Sequence, residues 1–249
     1  MSIVNNKFDV IVLSLAVDEQ TFQTTKSCVD SYINTADELV NKIYVVETNP
    51  NFDRDYQQEK VKLIKPNEQF NYNKFYNIAL SECTAQYIIG PNNDLLIQPN
   101  CLQTLLKEFQ TNQEIHSISP IDREWHRHTP MYLPSENKLY YGYEVSLHMF
   151  GCIFACRRSV FERIGFLDEK FYFFYQDNDY AMSLERCGLL HGVHTGARVK
   201  HQSGHSNKYA EDRLKYTPKN MNEQGDLLAS KWNNEPYKSG GYKQFKQYK

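Results

Sequence analysis

The chain of 249 residues has no run of about 18 consecutive apolar residues, no CxxC pair and no segment that repeats elsewhere. Without such a run there is no candidate membrane-spanning helix. The opening MSIVNNKFDV enters a strand-like segment directly, without the basic and apolar stretches of a signal peptide, so the expected location is cytoplasmic. The six cysteines (Cys28, Cys83, Cys101, Cys152, Cys156 and Cys187) stand mostly in apolar or helical surroundings. They read as reduced, buried thiols rather than as disulfides or a zinc site. Net charge is also small, at −2, yet it is unevenly spread. Residues 198–249 carry 11 Lys+Arg against 5 Asp+Glu, which leaves an acidic remainder of 17 against 25. A basic end on an acidic body suits an anionic partner or surface, or is an ordinary solvated terminus.

What the chain does have is alternation of two periods. VIVLSL, KIYVVE, VKLIK and QYIIG are short apolar runs of the kind buried on both faces of a parallel sheet. Between and after them, TFQTTKSCVDSYINTADEL, NKFYNIALSEC and CLQTLLKEFQ carry apolar residues at helical spacing, as at Phe22, Cys28, Val29, Tyr32 and Ile33. A strand-helix-strand succession predicts an α/β fold, with a mostly parallel sheet flanked by helices. At this length, one domain with an extension is expected rather than two equal domains. Ligands of such sheets bind beyond the carboxyl ends of the strands. Glu47 and the turn Asn92–Asp94 fall at two such ends.

The stretch Tyr175–Leu190, YQDNDYAMSLERCGLL, sets Asp177 and Asp179 at the mouth of a predicted helix. Carboxylates in a first turn complement the positive end of the helix dipole and stay ionised there. They read either as helix caps or as a general base or metal ligand beside aromatic residues. The segment from Asp122 to Phe150 breaks the alternation, with two prolines, four tyrosines, three histidines and one of the chain's two tryptophans. Long irregular connections are usually functional. This one either lines an acceptor site with stacking rings or packs over the sheet as an aromatic hairpin.

In order and spacing, these segments resemble the inverting glycosyltransferases of the GT-A fold related to family 2, which use nucleotide-diphosphate sugars. The resemblance runs through FDVIVLSLAVDE, KIYVVETNP, QYIIGPNNDLLI, GCIFACRRSVFERIGFLDEKF, YQDNDY and VKHQSGHS, over roughly residues 8–206. It implies a GT-A-like catalytic domain over 1–206 and a basic C-terminal extension over 207–249. By the family's pattern, Asp177 falls on the general base, with Gln176 in place of the usual glutamate, and Asp179 caps its helix or orients the site. Asp94 and His201, with His205 a less favoured substitute, fall on the ligands of a divalent cation, Mn2+ or Mg2+, bound with the donor diphosphate. Asn92 takes the place of the first acidic residue of Asp-x-Asp, near the ribose or sugar, and supplies no charge there. Glu47 and Asn77 fall at nucleobase or ribose positions and Lys74 near a phosphate. Gly151 permits close backbone approach to the donor sugar, and Arg157 or Arg158 pairs the diphosphate or the sheet.

The implied reaction is transfer of a sugar to an acceptor hydroxyl with inversion, the acceptor being a glycan. The lysines and rings of residues 237–249 raise the alternative of a hydroxylated base in DNA. A non-catalytic sugar-nucleotide or glycan-binding protein would also tolerate Asn92 and Gln176. A nucleotidyltransferase is disfavoured, because LSLAVDEQTF has neither glycine nor arginine for a phosphate loop.

Overall fold

The computed structural model describes residues 6–128, 137–202 and 218–232. Strand β1 (Phe8–Ser14) feeds helix α1 (Glu19–Ala36), and β2 (Val40–Glu47) follows. Then come β3 (Val61–Ile64), α2 (Tyr72–Leu80), β4 (Tyr87–Pro91), β5 (Leu95–Ile97), α3 (Cys101–Thr111) and β6 (Ile115–Asp122). Strands β7 (Leu139–Tyr141) and β8 (Ile153–Arg157), helices α4 (Val160–Ile164) and α5 (Gln176–Arg186), strand β9 (Leu190–His201) and helix α6 (Pro218–Lys231) complete the described chain.

Local chemistry sets several of these boundaries. Helix α1 begins at a capping box: the Asp18 carboxylate accepts from the Thr21 amide at 2.9 Å, and the Thr21 hydroxyl accepts from the Asp18 amide. Asn71 caps α2 by accepting from the Lys74 amide at 3.0 Å. Each of these runs forms a strand, and β1, β2 and β4 are buried because their successive side chains enter opposite layers; β3, at the edge of the sheet, is half exposed and corrects the expectation for VKLIK. Val10 and Val12 pack with Phe22, Val29 and Tyr32 of α1 and with Leu105 of α3. Ile11, between them, packs with Phe75 and Tyr76 of α2 and with Tyr180 and Leu184 of α5. Burying each such side chain contributes roughly 1.5–3 kcal/mol, so both faces of the sheet are held by core.

The sheet order is β3-β2-β1-β4-β8-β6-β9-β5, with β7 also paired to β9. From β3 to β4 it is parallel throughout, as predicted. Beyond β4 it is mixed: β8 is antiparallel to both β4 and β6, β9 is parallel to β6, and β5 and β7 are antiparallel to β9. The α/β sheet flanked by helices is therefore present, with the reversed strands β8, β5 and β7 making its second half mixed rather than mostly parallel.

Two consequences position the site. The carboxyl ends of β1, β2, β4 and β6 share one edge, and β8 starts at that edge, since Ile153 pairs with Pro91. Running the other way, β8 carries Arg157 to the opposite edge, opposite Tyr87 and about 13 Å along at roughly 3.3 Å per residue. All six cysteines are free. No described helix is long and apolar enough to cross a membrane.

Candidate active site

Asp94 and His201, 107 residues apart in sequence, meet at the edge where the parallel strands end. The antiparallel pairing of β5 with β9 places Leu95 opposite His201. The His201 Nε2 then lies 3.2 Å from Asp94 Oδ1, with the carboxylate fully buried. The Asp94 carboxylate raises the His201 pKa above its ordinary value, against the opposing effect of burial. Two further bonds fix this pair. The Gln202 amide donates to the Asp94 carbonyl at 2.8 Å, and the His201 amide donates to Asp122 Oδ2 at 2.5 Å.

Asp122, at the end of β6, has no assigned role in the sequence reading, yet it organises this corner. Its other oxygen accepts from the Glu124 and Trp125 amides at 2.7 and 3.1 Å. The Trp125 ring stands edge-on to the His201 ring at 6.0 Å and is half exposed. The signal was available: IHSISPID ends an apolar run on a carboxylate, as KIYVVE does.

Asp177 enters from the other layer. Helix α5 precedes β9 in the chain, so its amino end lies at the site edge, with Asp177 in its first turn. Gly151 lies against it: a Cβ built on Gly151 would collide with Asp177 Oδ2 and stand 3.1 Å from Cγ. Gly151 thus makes room for the carboxylate. The Cys152 thiol lies in the electrostatic field of three carboxylates, and its pKa is pushed up to about 12, first by burial, then by Asp94, Asp177 and Asp122. Asp94, Asp177 and Asp122 thus all act on this thiol through their charge.

The first-turn position does not by itself hold the Asp177 pKa down. Burial raises its pKa above the ordinary value, and the bond from the Asn178 amide at 2.9 Å only partly offsets this. Asp179 does not cap the helix. Its buried carboxylate turns to α6, accepting from Lys231 Nζ at 2.9 and 3.0 Å and from Trp232 Nε1 at 2.8 Å.

The other expected donor contacts divide. Asn92 lies at the site edge, where its amide donates to the Cys152 carbonyl at 2.8 Å and its backbone bridges to Leu13. Glu47 lies at the expected strand end, but its carboxylate accepts from Ser14 Oγ at 2.7 Å and from the Ala16 and Asn49 amides at 3.1 and 2.8 Å. It braces the ends of β1 and β2 against each other.

Asn77 is turned away from a donor. Its amide nitrogen donates to the Leu167 carbonyl at 2.9 Å, and its oxygen accepts from the Leu167 amide at 2.9 Å. With Asn73, which donates to the Asp168 carbonyl, and Asn71, which donates to the Glu169 carbonyl, it fastens α2 to the LDE segment. Lys74 is ion-paired with Glu68 on the surface.

Arg157 is committed at the far edge to the Ile115, Phe109 and Asn112 carbonyls, and Arg158 there donates to the Ala85 carbonyl. Neither reaches the edge that carries Asp94. His205 and residues 237–249 lie outside the described residues.

Asp94 and His201 suit a divalent cation in donor chemistry, one carboxylate oxygen and one imidazole nitrogen. Among the described residues no group of three His, Cys, Asp or Glu side chains could hold a metal ion alone. Other oxygens must complete the shell, as diphosphate oxygens can.

The sequence matches the family described as glycosyl transferase family 2 over residues 21–165. No curated protein sequence matches it. Similar solved structures include that of GalNAc-T7 with UDP, GalNAc and Mn2+, with a TM-score of 0.65 and 14% identity over 90% of this chain. This chain covers only 48% of that protein, about half its length. Residues 1–349 of S. aureus TarS give a TM-score of 0.60 at 12% identity, over 94% of this chain and 67% of that one. The mannosyltransferase PcManGT from Pyrobaculum calidifontis, in complex with GDP-Man and Mn2+, gives 0.58 at 14% identity, over 82% and 59%. At these identities the likeness is one of fold, the GT-A-like α/β fold.

Proposed function

The chain belongs to glycosyl transferase family 2, and we propose that it moves a sugar from a nucleotide-diphosphate donor to an acceptor hydroxyl with inversion at the anomeric carbon. Asp177 is the general base, and Asp94 with His201 are the protein ligands of a divalent cation, Mn2+ or Mg2+. The observation that carries this reading is that Asp94 and His201 meet at 3.2 Å at the edge of the sheet where α5 presents Asp177, with Gly151 leaving space for that carboxylate.

In the reaction, Asp177 takes the proton of the acceptor hydroxyl as its oxygen attacks the anomeric carbon. The bond from that carbon to the donor phosphate breaks, and its electron pair leaves on the diphosphate. A raised carboxylate pKa brings the base nearer the pH at which it must accept a proton. The cation, when bound, would neutralise the charge that develops on the leaving diphosphate. Asp122 holds the His201 backbone and the turn at Trp125, which fixes the direction of the imidazole. Asn92 offers an uncharged amide at the donor edge, so Asp94 is the only carboxylate of the NND turn available to the cation.

The acceptor in this reading is a glycan. The basic tail that suggested DNA lies outside the described residues, and the comparisons bring no support for a DNA acceptor. The test is a panel of UDP- and GDP-sugars with Mn2+, following nucleotide release and the anomeric configuration of the product. Absence of release from every donor, or a product that retains configuration, would overturn the proposal.

A further inference from the structure

Helix α6 lies beyond the region matched to the family, yet it grips the segment that delivers Asp177. Gln224 is buried, and its Oε1 accepts from the Phe173 and Phe174 amides at 3.1 and 3.2 Å. Asn220 donates to the Tyr172 hydroxyl at 3.0 Å. Lys231 bridges Asp168 at 2.8 Å and Asp179 at 2.9 Å, with its ammonium over the Phe171 ring at 5.4 Å. Trp232 donates to Asp179 and lies under Arg186 of α5. From Asp168 to Asp179 the grip is almost continuous.

Within that segment Tyr175, two residues before Asp177, has φ of 60°, in the left-handed region where a side chain is disfavoured. Such a conformation persists when its surroundings hold it. Gly225 of α6 packs against the Tyr175 ring, so that a Cβ there would lie 3.3 Å from the tyrosine oxygen and 3.4 Å from ring carbons. Asp179 adds a second constraint. A buried carboxylate needs its partner, and Lys231 and Trp232 supply it two residues from Asp177.

We propose that α6 is a positioning element of the catalytic site, in which Gln224, Gly225, Lys231 and Trp232 hold the Tyr175 turn and the first turn of α5 so that Asp177 stands over Gly151. The proposal rests on the reading of Asp177 as base. These residues act through Asp177 and touch no substrate.

The experiment uses the full chain and the donor that the wild-type protein hydrolyses fastest among UDP-glucose, UDP-N-acetylglucosamine, UDP-galactose and GDP-mannose with Mn2+. Lys231→Met removes the charge, and Gly225→Leu displaces Tyr175 while replacing a helix glycine by a better helix former. Each is expected to lower kcat for donor hydrolysis about 10–100-fold, the scale of an ångström-sized misplacement. Donor KM should stay within about twofold, and Lys231→Arg should recover most of the activity.

Amide hydrogen exchange supplies a readout apart from activity. Residues 172–180 should exchange faster in both variants, with β1 and β4 unchanged. Wild-type kcat with wild-type exchange, or a rise in KM alone, overturns the proposal. Asp177→Asn is measured alongside. If it is inactive while Lys231→Met and Gly225→Leu are unaffected, only the role of α6 falls. If it turns over like wild type, or if the wild type hydrolyses no donor, the base assignment falls and the role of α6 with it.

Discussion

The carboxylate of Asp177 occupies the space that a side chain at residue 151 would fill: a Cβ on Gly151 would collide with Oδ2. The resemblance assigns Gly151 to the donor sugar and Asp177 to the base, and the two roles meet in one contact. The glycine is needed because the Asp177 carboxylate stands where it does, at the amino end of α5.

Gly151→Ala is accordingly expected to push Asp177 off its position. Transfer should fall by about 10–100-fold, the cost of an ångström-scale displacement. Nucleotide affinity, read by UDP titration with Mn2+, should stay near wild type, because Asp94, in the turn before β5, and His201, at the end of β9, lie on other segments. An equal loss of nucleotide binding would show that residue 151 serves the donor rather than the base.

Asp177→Asn keeps the shape but accepts no proton, so transfer should drop by about 10²–10⁴-fold with donor binding retained. The same variant carries a stability prediction. Burial raises the Asp177 pKa, so the folded carboxyl still holds its proton at a pH where the unfolded one has released it. This disfavours folding progressively as pH rises from the unfolded pKa through the folded one. Asn carries no such penalty. The variant should therefore melt higher than wild type near pH 7, and the difference should vanish below about pH 4, near the ordinary aspartate value. Melting curves across that range give the answer, and a difference that grows toward acid would reverse the assignment.

Asp94→Ala should abolish Mn2+-dependent stabilisation by UDP, and His201→Ala should weaken it, since each removes one of the two proposed protein ligands. Chelator should reproduce the Asp94→Ala result in the wild type. Full activity in the presence of chelator would remove the cation from the mechanism.

Asn77→Ala should act on stability rather than on the donor. It leaves the Leu167 amide and carbonyl without their partner in a buried setting, at a cost of about 1–3 kcal/mol. For a chain of this size each kcal/mol lowers Tm by roughly 2–4 °C. Lys74→Ala should change little, because its pair with Glu68 is exposed. A raised donor KM with unchanged Tm in either variant would return that residue to the donor site.

How much of this was written in the sequence depends on the range over which each signal acts. Apolar runs such as VIVLSL and KIYVVE specify strands buried on both faces, and the spacing of Phe22, Val29 and Tyr32 specifies a helix packed on one of them. Both signals are local, and both elements form where the pattern places them. The order of motifs was enough to name Asp94, Asp177 and His201 through the family they resemble. What it could not carry was direction. RRSVF leaves Arg157 and Arg158 open between the diphosphate and the sheet, and antiparallel pairing of β8 with β4 decides for the sheet by sending Arg157 to the opposite edge, a matter of hydrogen-bond register between distant strands. Asn77 has the right residue type for a base contact, yet its amide closes on Leu167, 90 residues away.

The same holds for α6. In sequence, PKNMNEQGDLLASK is only part of a basic extension, and only packing reveals that Gln224 and Lys231 face the segment bearing Asp177. Composition and periodicity decide which residues leave water. Which of them then meet is decided by the pairing of strands far apart in the chain, and the position of Asp177 over Gly151 depends on that pairing.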